Sequence, residues 1–245
     1  MIFFKLGGHV KLGRLTWHCQ VGEWVTLRTD LDTRRSTMSI RTDDLVIDGE
    51  PSNCPRLILG HGAGLPMDSP FMAKMAELLV ARGLAVVRFE FPYMQKRRVD
   101  GKKRGPDKTE VLLECFTEVI ERFGASTVVI GGKSLGGRMA SMLADQLQVR
   151  GLVCLGYPFH PPRKPDKTRT AHLMDLKTPT LIVQGERDPF GAREDVAGYA
   201  LASSINVYWS MDGDHSFVPR KRSGYTEAGN FIAAADAVAS FIERF

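Results

Sequence analysis

Residues 131–137 read GGKSLGG, directly after the apolar run Thr127-Val-Val-Ile130. A serine on a helix face needs no glycines around it. A serine held on a sharp strand-to-helix turn does. There the backbone is strained, and side chains two residues before and after would collide with the turn or a neighbouring strand. Gly132-Lys-Ser-Leu-Gly136 fits G-x-S-x-G, the turn that lifts a serine hydroxyl above the end of a sheet. The flanks agree: an apolar strand precedes, and a helical stretch, Arg138-Met-Ala-Ser-Met-Leu-Ala144, follows. Ser134 would then sit at a helix N-terminus, where the dipole favours developing negative charge. The plainer alternative is a glycine-rich turn with a capping serine. A phosphate-binding loop is excluded, because G-x-x-x-x-G-K-[ST] needs glycine where Thr127 stands.

Outward from this turn, short apolar runs alternate with helical periods. The runs are Arg56–Gly60, Leu84–Phe91, Thr127–Ile130, Gly151–Leu155, Thr180–Val183 and Asn206–Trp209, with a weaker one at Leu45–Ile47. Helices are predicted over Ser69–Arg82, Pro106–Phe123, Ser134–Gln148, Glu194–Ala202 and Tyr225–Phe245. In the first, Met72, Met75, Ala76, Leu79 and Val80 recur at helical spacing. Asp68 and Ser69 are expected to cap that helix. Continuous apolar strands between helices imply a mostly parallel, doubly wound sheet covered on both faces. Residues 1–37 have no clean period of two or 3.6. They read as an N-terminal extension, disordered or not native, ahead of a domain spanning 38–245, with Met38 as a natural start.

A serine nucleophile needs a base, and the base needs an orienting acid. In a sheet of this type the chain order is serine, acid, histidine. Of six histidines (His9, His18, His61, His160, His172, His215), only His215 lies beyond every strand and before the last helix. It stands in the polar loop Met211-Asp-Gly-Asp-His-Ser-Phe217. His160 and His172 precede any plausible acid. The acid should follow the strand at 180–183, where the loop reads Gly185-Glu-Arg-Asp-Pro-Phe-Gly191. Asp188 is placed ahead of its rival Glu186. Asp212 and Asp214 are too close to His215 in sequence to face its ring. An oxyanion needs N–H donors. Leu135, next after the serine, supplies one. His61-Gly-Ala-Gly64 supplies the other, from Ala63 or alternatively Gly64, with His61 as a loop-packing residue.

The motifs HGAGLPMDSPFM (61–72), VVRFEFPYM (86–94), GGKSLGGRMAS (131–141), LGYPFHPPRKPDKTRTAHL (155–173), PTLIVQGERDPFG (179–191) and GDHSF (213–217) occur in this order. Through them, residues 43–245 resemble an α/β-hydrolase. More narrowly they resemble the small bacterial group related to testis-expressed protein 30 and to regulatory subunit 3 of the non-specific-lethal chromatin complex. The resemblance implies an α/β-hydrolase fold with a minimal lid and a triad at Ser134, Asp188 and His215. Dienelactone-hydrolase-like enzymes are more distant, since their nucleophile is cysteine. The resemblance supplies no substrate, and its chromatin-associated members show that the fold can also serve as a scaffold. The Tyr157-Pro-Phe-His-Pro-Pro162 stretch occupies the lid position. Tyr157 and Phe159 there either line an acyl pocket, with Gly64, or pack against the sheet.

The 245-residue chain suits one α/β domain. Its net charge of +5 is localised: residues 96–108, KRRVDGKKRGPDK, hold seven Lys/Arg and two Asp. The body is neutral and carries one basic loop, read either as steering for anionic substrates or as a solvated segment. Without interleaved aromatics that loop argues against specific nucleic-acid binding. No run is long enough to span a bilayer, and no secretory signal is legible. Cys19, Cys54, Cys115 and Cys154 lack metal or redox spacing, consistent with reduced thiols in the cytoplasm. No cofactor or metal is expected, and oligomeric state is not legible. The function these features imply is hydrolysis of a small-molecule acyl substrate, a carboxylic ester or thioester. A non-catalytic scaffold is the alternative.

Overall fold

The computed structural model describes residues 45–50 and 54–245, together with three strands nearer the N-terminus. Those strands, β1 (His9–Lys11), β2 (Arg14–His18) and β3 (Trp24–Thr26), form an antiparallel sheet with Val10 opposite Leu15 and Trp17 opposite Val25. They belong to a separate unit, Met1–Ser39. Met38, expected as a start, lies outside the described residues.

The main unit is built on a seven-stranded sheet. In chain order its elements are β4 (Leu45–Asp48), β5 (Arg56–Gly60), α1 (Pro70–Val80), β6 (Val86–Phe89), α2 (Pro92–Asp100), α3 (Thr109–Phe123), β7 (Val128–Lys133), α4 (Leu135–Leu147), β8 (Gly151–Leu155), β9 (Thr180–Gly185), α5 (Arg193–Ala197), β10 (Ile205–Ser210) and α6 (Glu227–Ile242). The spatial order is β10-β9-β8-β7-β5-β6-β4. All neighbours are parallel except β4, which runs antiparallel to β6 with Leu45 opposite Phe89.

Alternation along each strand feeds two cores. Leu57, Leu59, Val129, Val153 and Val183 face α1 and α6, meeting Met72, Met75, Leu79, Phe231 and Val238. Ile58, Val87, Ile130, Cys154 and Ile182 face α3 and α4, meeting Phe116, Ile120, Met139 and Leu143. One charged residue, Arg88, lies inside an apolar strand. Its guanidinium bonds both Asp48 oxygens (2.8 and 3.1 Å) and donates to Met67 O at 2.9 Å, so the buried charge is paired.

Strand order reverses between β5 and β7. Chain after β5 proceeds to one edge through β6, and chain after β7 proceeds to the other through β8, β9 and β10. Ligands of open parallel sheets bind at such a switch point, beyond the carboxyl ends of the strands. The loops there are 61–69 and the Lys133–Leu135 turn.

Four expectations change. The helix expected from Pro106 begins at Thr109. The helix expected over Glu194–Ala202 stops after Ala197, at Gly198. Ser69 occupies the N-cap of α1 but makes no side-chain cap, and Asp68 instead takes Arg98 at 2.6 Å. The basic segment 96–108 is not all loop, since its first part completes α2. Three of its arginines are also committed: Arg97 to Gly64 O, Arg98 to Glu90 and Asp68, and Arg104 to Asp100. Between β8 and β9, residues 156–179 hold one short 3₁₀ helix, Ala171–Leu173, in the position of a lid.

Candidate active site

Ser134 sits between β7 and α4 with φ 50° and ψ −106°. A non-glycine residue there stores of order 1–3 kcal/mol of strain, held only if its surroundings over-determine it. They do. Its amide donates to Leu155 O at 3.0 Å, and its carbonyl starts α4 by accepting from Arg138 N at 3.0 Å. The flanking glycines are required by close approach: a Cβ on Gly132 would lie 2.3 Å from Gly60 O, and one on Gly136 would lie 2.1 Å from it. The half-buried hydroxyl has no hydrogen-bond partner among the described residues.

Asp188 follows β9, and His215 lies in the loop after β10. His215 Nδ1 donates to Asp188 Oδ2 at 2.7 Å. Asp188 is fully buried and also accepts from Gln184 Nε2 (3.0 Å) and Phe190 N (2.8 Å), which fixes both carboxylate oxygens. The imidazole stacks on Phe190 with ring centroids 4.4 Å apart. With Nδ1 committed, Nε2 is the nitrogen left to accept a proton. Ser134 and His215 flank the Leu155–Gly156 turn. A Cβ on Gly156, which has φ 66°, would be 3.3 Å from His215 Nδ1 and 2.6 Å from Lys133 Nζ. Ser134 and His215 are not hydrogen-bonded to each other in the structure. Such contacts commonly tighten only with substrate.

The 61–64 loop is tied down through its carbonyls. His61 Nδ1 donates to Gly62 O (2.7 Å) while its Nε2 accepts from Phe91 N (3.1 Å). Tyr93 donates to Ala63 O (3.0 Å), and Arg97 donates to Gly64 O (3.1 Å). The Ala63, Gly64 and Leu135 amides have no protein acceptor among the described residues, so all three remain available as donors. Burial pushes the pKa of His61 down, which suits a neutral, loop-fixing ring. Tyr93 and Arg97 were missed as site-supporting residues, although both stand in the quoted motifs or directly after them.

Lys133 is the other residue the sequence did not single out. It is only 8% exposed, and its Nζ donates to His215 O at 2.5 Å. The ammonium lies over the Phe71 and Phe217 rings, 5.0 and 5.9 Å from their centroids. Burial pushes its pKa down to about 8, against the opposing pull of Asp188 and Asp214. The residue preceding Ser134 thus holds the backbone of the His215 loop.

Several other residues stand apart, among them the acids Glu186, Asp212 and Asp214 that were set aside in favour of Asp188. Glu186 turns to Arg193 (2.7 Å) and Asp212 N (2.8 Å), away from the imidazole. Asp214 accepts from Ser216 N and Val218 N, shaping the His215 loop. Asp212 pairs with Arg220 and Arg187. Tyr157 and Phe159 are completely buried and pack edge to face, with centroids 4.8 Å apart. They back the site rather than line accessible space, because their rings complete the core beneath the 156–173 segment. Gly64 is exposed, with nothing within 4 Å of an added Cβ. Among the described residues no group of three or more His, Cys, Asp or Glu side chains could hold a metal ion, and no helix is long and apolar enough to cross a membrane.

The chain resembles several solved structures at low identity, a likeness of fold. One is an alpha-beta serine hydrolase homologue from Coxiella burnetii, with 17% identity over 80% of this chain and 89% of that one and a TM-score of 0.59. Another is an α/β serine hydrolase without a lid from Xanthomonas campestris, with 19% identity, coverages of 82% and 88%, and a TM-score of 0.59. A dienelactone hydrolase from Anabaena variabilis gives 23% identity, coverages of 82% and 90%, and a TM-score of 0.60. Residues 53–243 match the family described as alpha/beta hydrolase domain. With the seven-stranded sheet and the strained serine turn already in place, this match makes the chain a member of the α/β-hydrolase family.

Proposed function

We propose that this chain is a serine hydrolase that cleaves carboxylic esters or thioesters of small molecules through an acyl-enzyme. The observation that carries the proposal is the strained Ser134 turn, bonded to Leu155 O, beside Gly156, which lies against a histidine whose Nδ1 is bonded to a fully buried aspartate. In this reading Ser134 Oγ attacks the carbonyl carbon and its proton passes to His215 Nε2. Asp188 holds the tautomer that leaves Nε2 basic and stabilises the imidazolium. The tetrahedral oxyanion accepts from the Ala63 and Leu135 amides. The intermediate collapses, the C–O or C–S bond breaks, and the alcohol or thiol leaves with the proton from Nε2. Water, deprotonated by the same nitrogen, then attacks the acyl-enzyme and releases the acid. The finer placement with the testis-expressed-protein-30-like group is part of this proposal and rests on the shared motifs.

Hydrolysis of p-nitrophenyl butyrate by wild type and Ser134→Ala tests it. The variant should lose at least about 10³-fold in kcat/KM. A fluorophosphonate should add its mass to wild type and not to the variant. Equal activity, or no covalent labelling of wild type, would leave a non-catalytic scaffold.

A further inference from the structure

Two arginines, Arg138 on α4 and Arg169 in the segment after β8, have no counter-charge among the described residues. Arg138 is one turn into α4, about 6 Å along the axis from Ser134, and its amide donates to Ser134 O. Residues four apart share a helix face, and helical side chains lean toward the N-terminus. Arg138 therefore stands on the first turn of α4, on the same face as Ser134. Its Nε is buried and has no hydrogen-bond partner. Arg169 comes from the 156–173 segment. Its amide donates to Phe159 O at 2.7 Å, and its carbonyl accepts from Tyr157 OH at 3.0 Å. Neither guanidinium makes an ion pair or hydrogen bond among the described residues.

The neighbouring side chains of this wall are hydrogen-bonded to one another. Ser141 Oγ lies 2.7 Å from Arg138 O and 2.8 Å from His172 Nε2. Burial and the charge of Arg138 both push the His172 pKa down, so the ring adds no charge of its own. Burial, with Arg138 as the neighbouring cation, also pushes Arg169 down. Tyr157 OH, 3.0 Å from Arg169 O and 3.4 Å from His172 Nε2, joins the two segments, and two partly buried cations on adjoining segments without a carboxylate are unfavourable alone. An anion that accepts from both forks removes the repulsion and satisfies the buried Nε.

We infer that Arg138 and Arg169 form an anion subsite beside Ser134, and that the ester cleaved there carries a second, negatively charged group, a carboxylate or a phosphate. This rests on the hydrolase reading above and adds the substrate class to it.

The test compares kcat/KM for mono-p-nitrophenyl glutarate, whose acyl chain ends in a carboxylate, with that for neutral p-nitrophenyl butyrate. Wild type should prefer the charged ester. The charged-to-neutral ratio should fall at least about tenfold in Arg138→Gln and in Arg169→Gln, the loss expected for one charge-assisted contact. Arg169→Gln decides the matter if Arg138→Gln does not fold. An unchanged ratio, or no preference in wild type, overturns the inference. Calorimetric titration of Ser134→Ala protein with glutarate and with inorganic phosphate reads the subsite without turnover and separates the two anions. Binding lost on adding Arg169→Gln supports the subsite even if no ester is cleaved, in which case the hydrolase reading alone fails. No binding of either anion counts against it.

Discussion

Lys133→Met removes a buried ammonium from under the His215 loop while keeping an unbranched side chain of similar length. The wild-type amine has its pKa pushed down to about 8 by burial, from an ordinary value of 10.5. Between those two pH values the unfolded chain binds a proton that the folded chain has released. Stability therefore rises with pH across that window wherever Lys133 is present, and the methionine variant lacks this rise. The unfolding free energy of wild type relative to the variant should climb by about 1.4 kcal/mol per pH unit, roughly 3 kcal/mol in all. Below pH 8 both states are protonated, and wild type bears the full cost of the buried charge. Against that cost stands the bond to His215 O, whose loss leaves a carbonyl unpaired at about 1–3 kcal/mol. The variant should thus lie within about 2 kcal/mol of wild type at pH 7 and fall behind steadily by pH 10. Urea unfolding of both proteins at pH 7, 8, 9 and 10 measures the difference. A flat difference across that series would refute the reasoning, because Lys133 would then not be a depressed, buried titrating group. Activity should separate from stability: with the His215 backbone released, kcat/KM should drop about 10- to 100-fold at pH 7.

Three further substitutions probe other parts of the site. Asp188→Asn should retain the fold but lower kcat by roughly 10³- to 10⁴-fold, through loss of the Nδ1–H tautomer, as read in steady-state ester hydrolysis. Tyr93→Phe removes the hydroxyl that holds Ala63 O, so kcat should fall about tenfold with KM little changed, at a stability cost near 1 kcal/mol by urea titration. Gly136→Ala drives a Cβ to 2.1 Å from Gly60 O, a backbone atom that cannot rotate away, and should cost about 3 kcal/mol or more in thermal unfolding.

The Ser134 turn was legible because its cause is local: glycines on both sides, an apolar strand before and a helix after. The order serine, acid, histidine came from this type of sheet and singled out Asp188 and His215 as candidates, which the structure hydrogen-bonds at 2.7 Å. Six strands, β5 to β10, were legible as short apolar runs, while β4 showed only weakly. The antiparallel direction of β4 was not legible, because direction depends on which partner edge is free. Tyr157 and Phe159 were ambiguous, since an aromatic beside a site looks the same in sequence whether it lines a pocket or backs it. Burial decided that. Asp68 looked like a cap until a distant arginine, Arg98, claimed it.

By itself the sequence determined the sheet and the serine corner, because these are set by local backbone demands and by chain order. Only the tertiary structure decided the rest. It buried Lys133 under the His215 carbonyl, turned the 61–64 carbonyls toward His61, Tyr93 and Arg97, and buried Arg138 Nε without a partner among the described residues. The physical reason is that charge and hydrogen bonding act through space and dielectric. A lysine or arginine in the sequence shows neither which groups fold against it nor how much water they exclude.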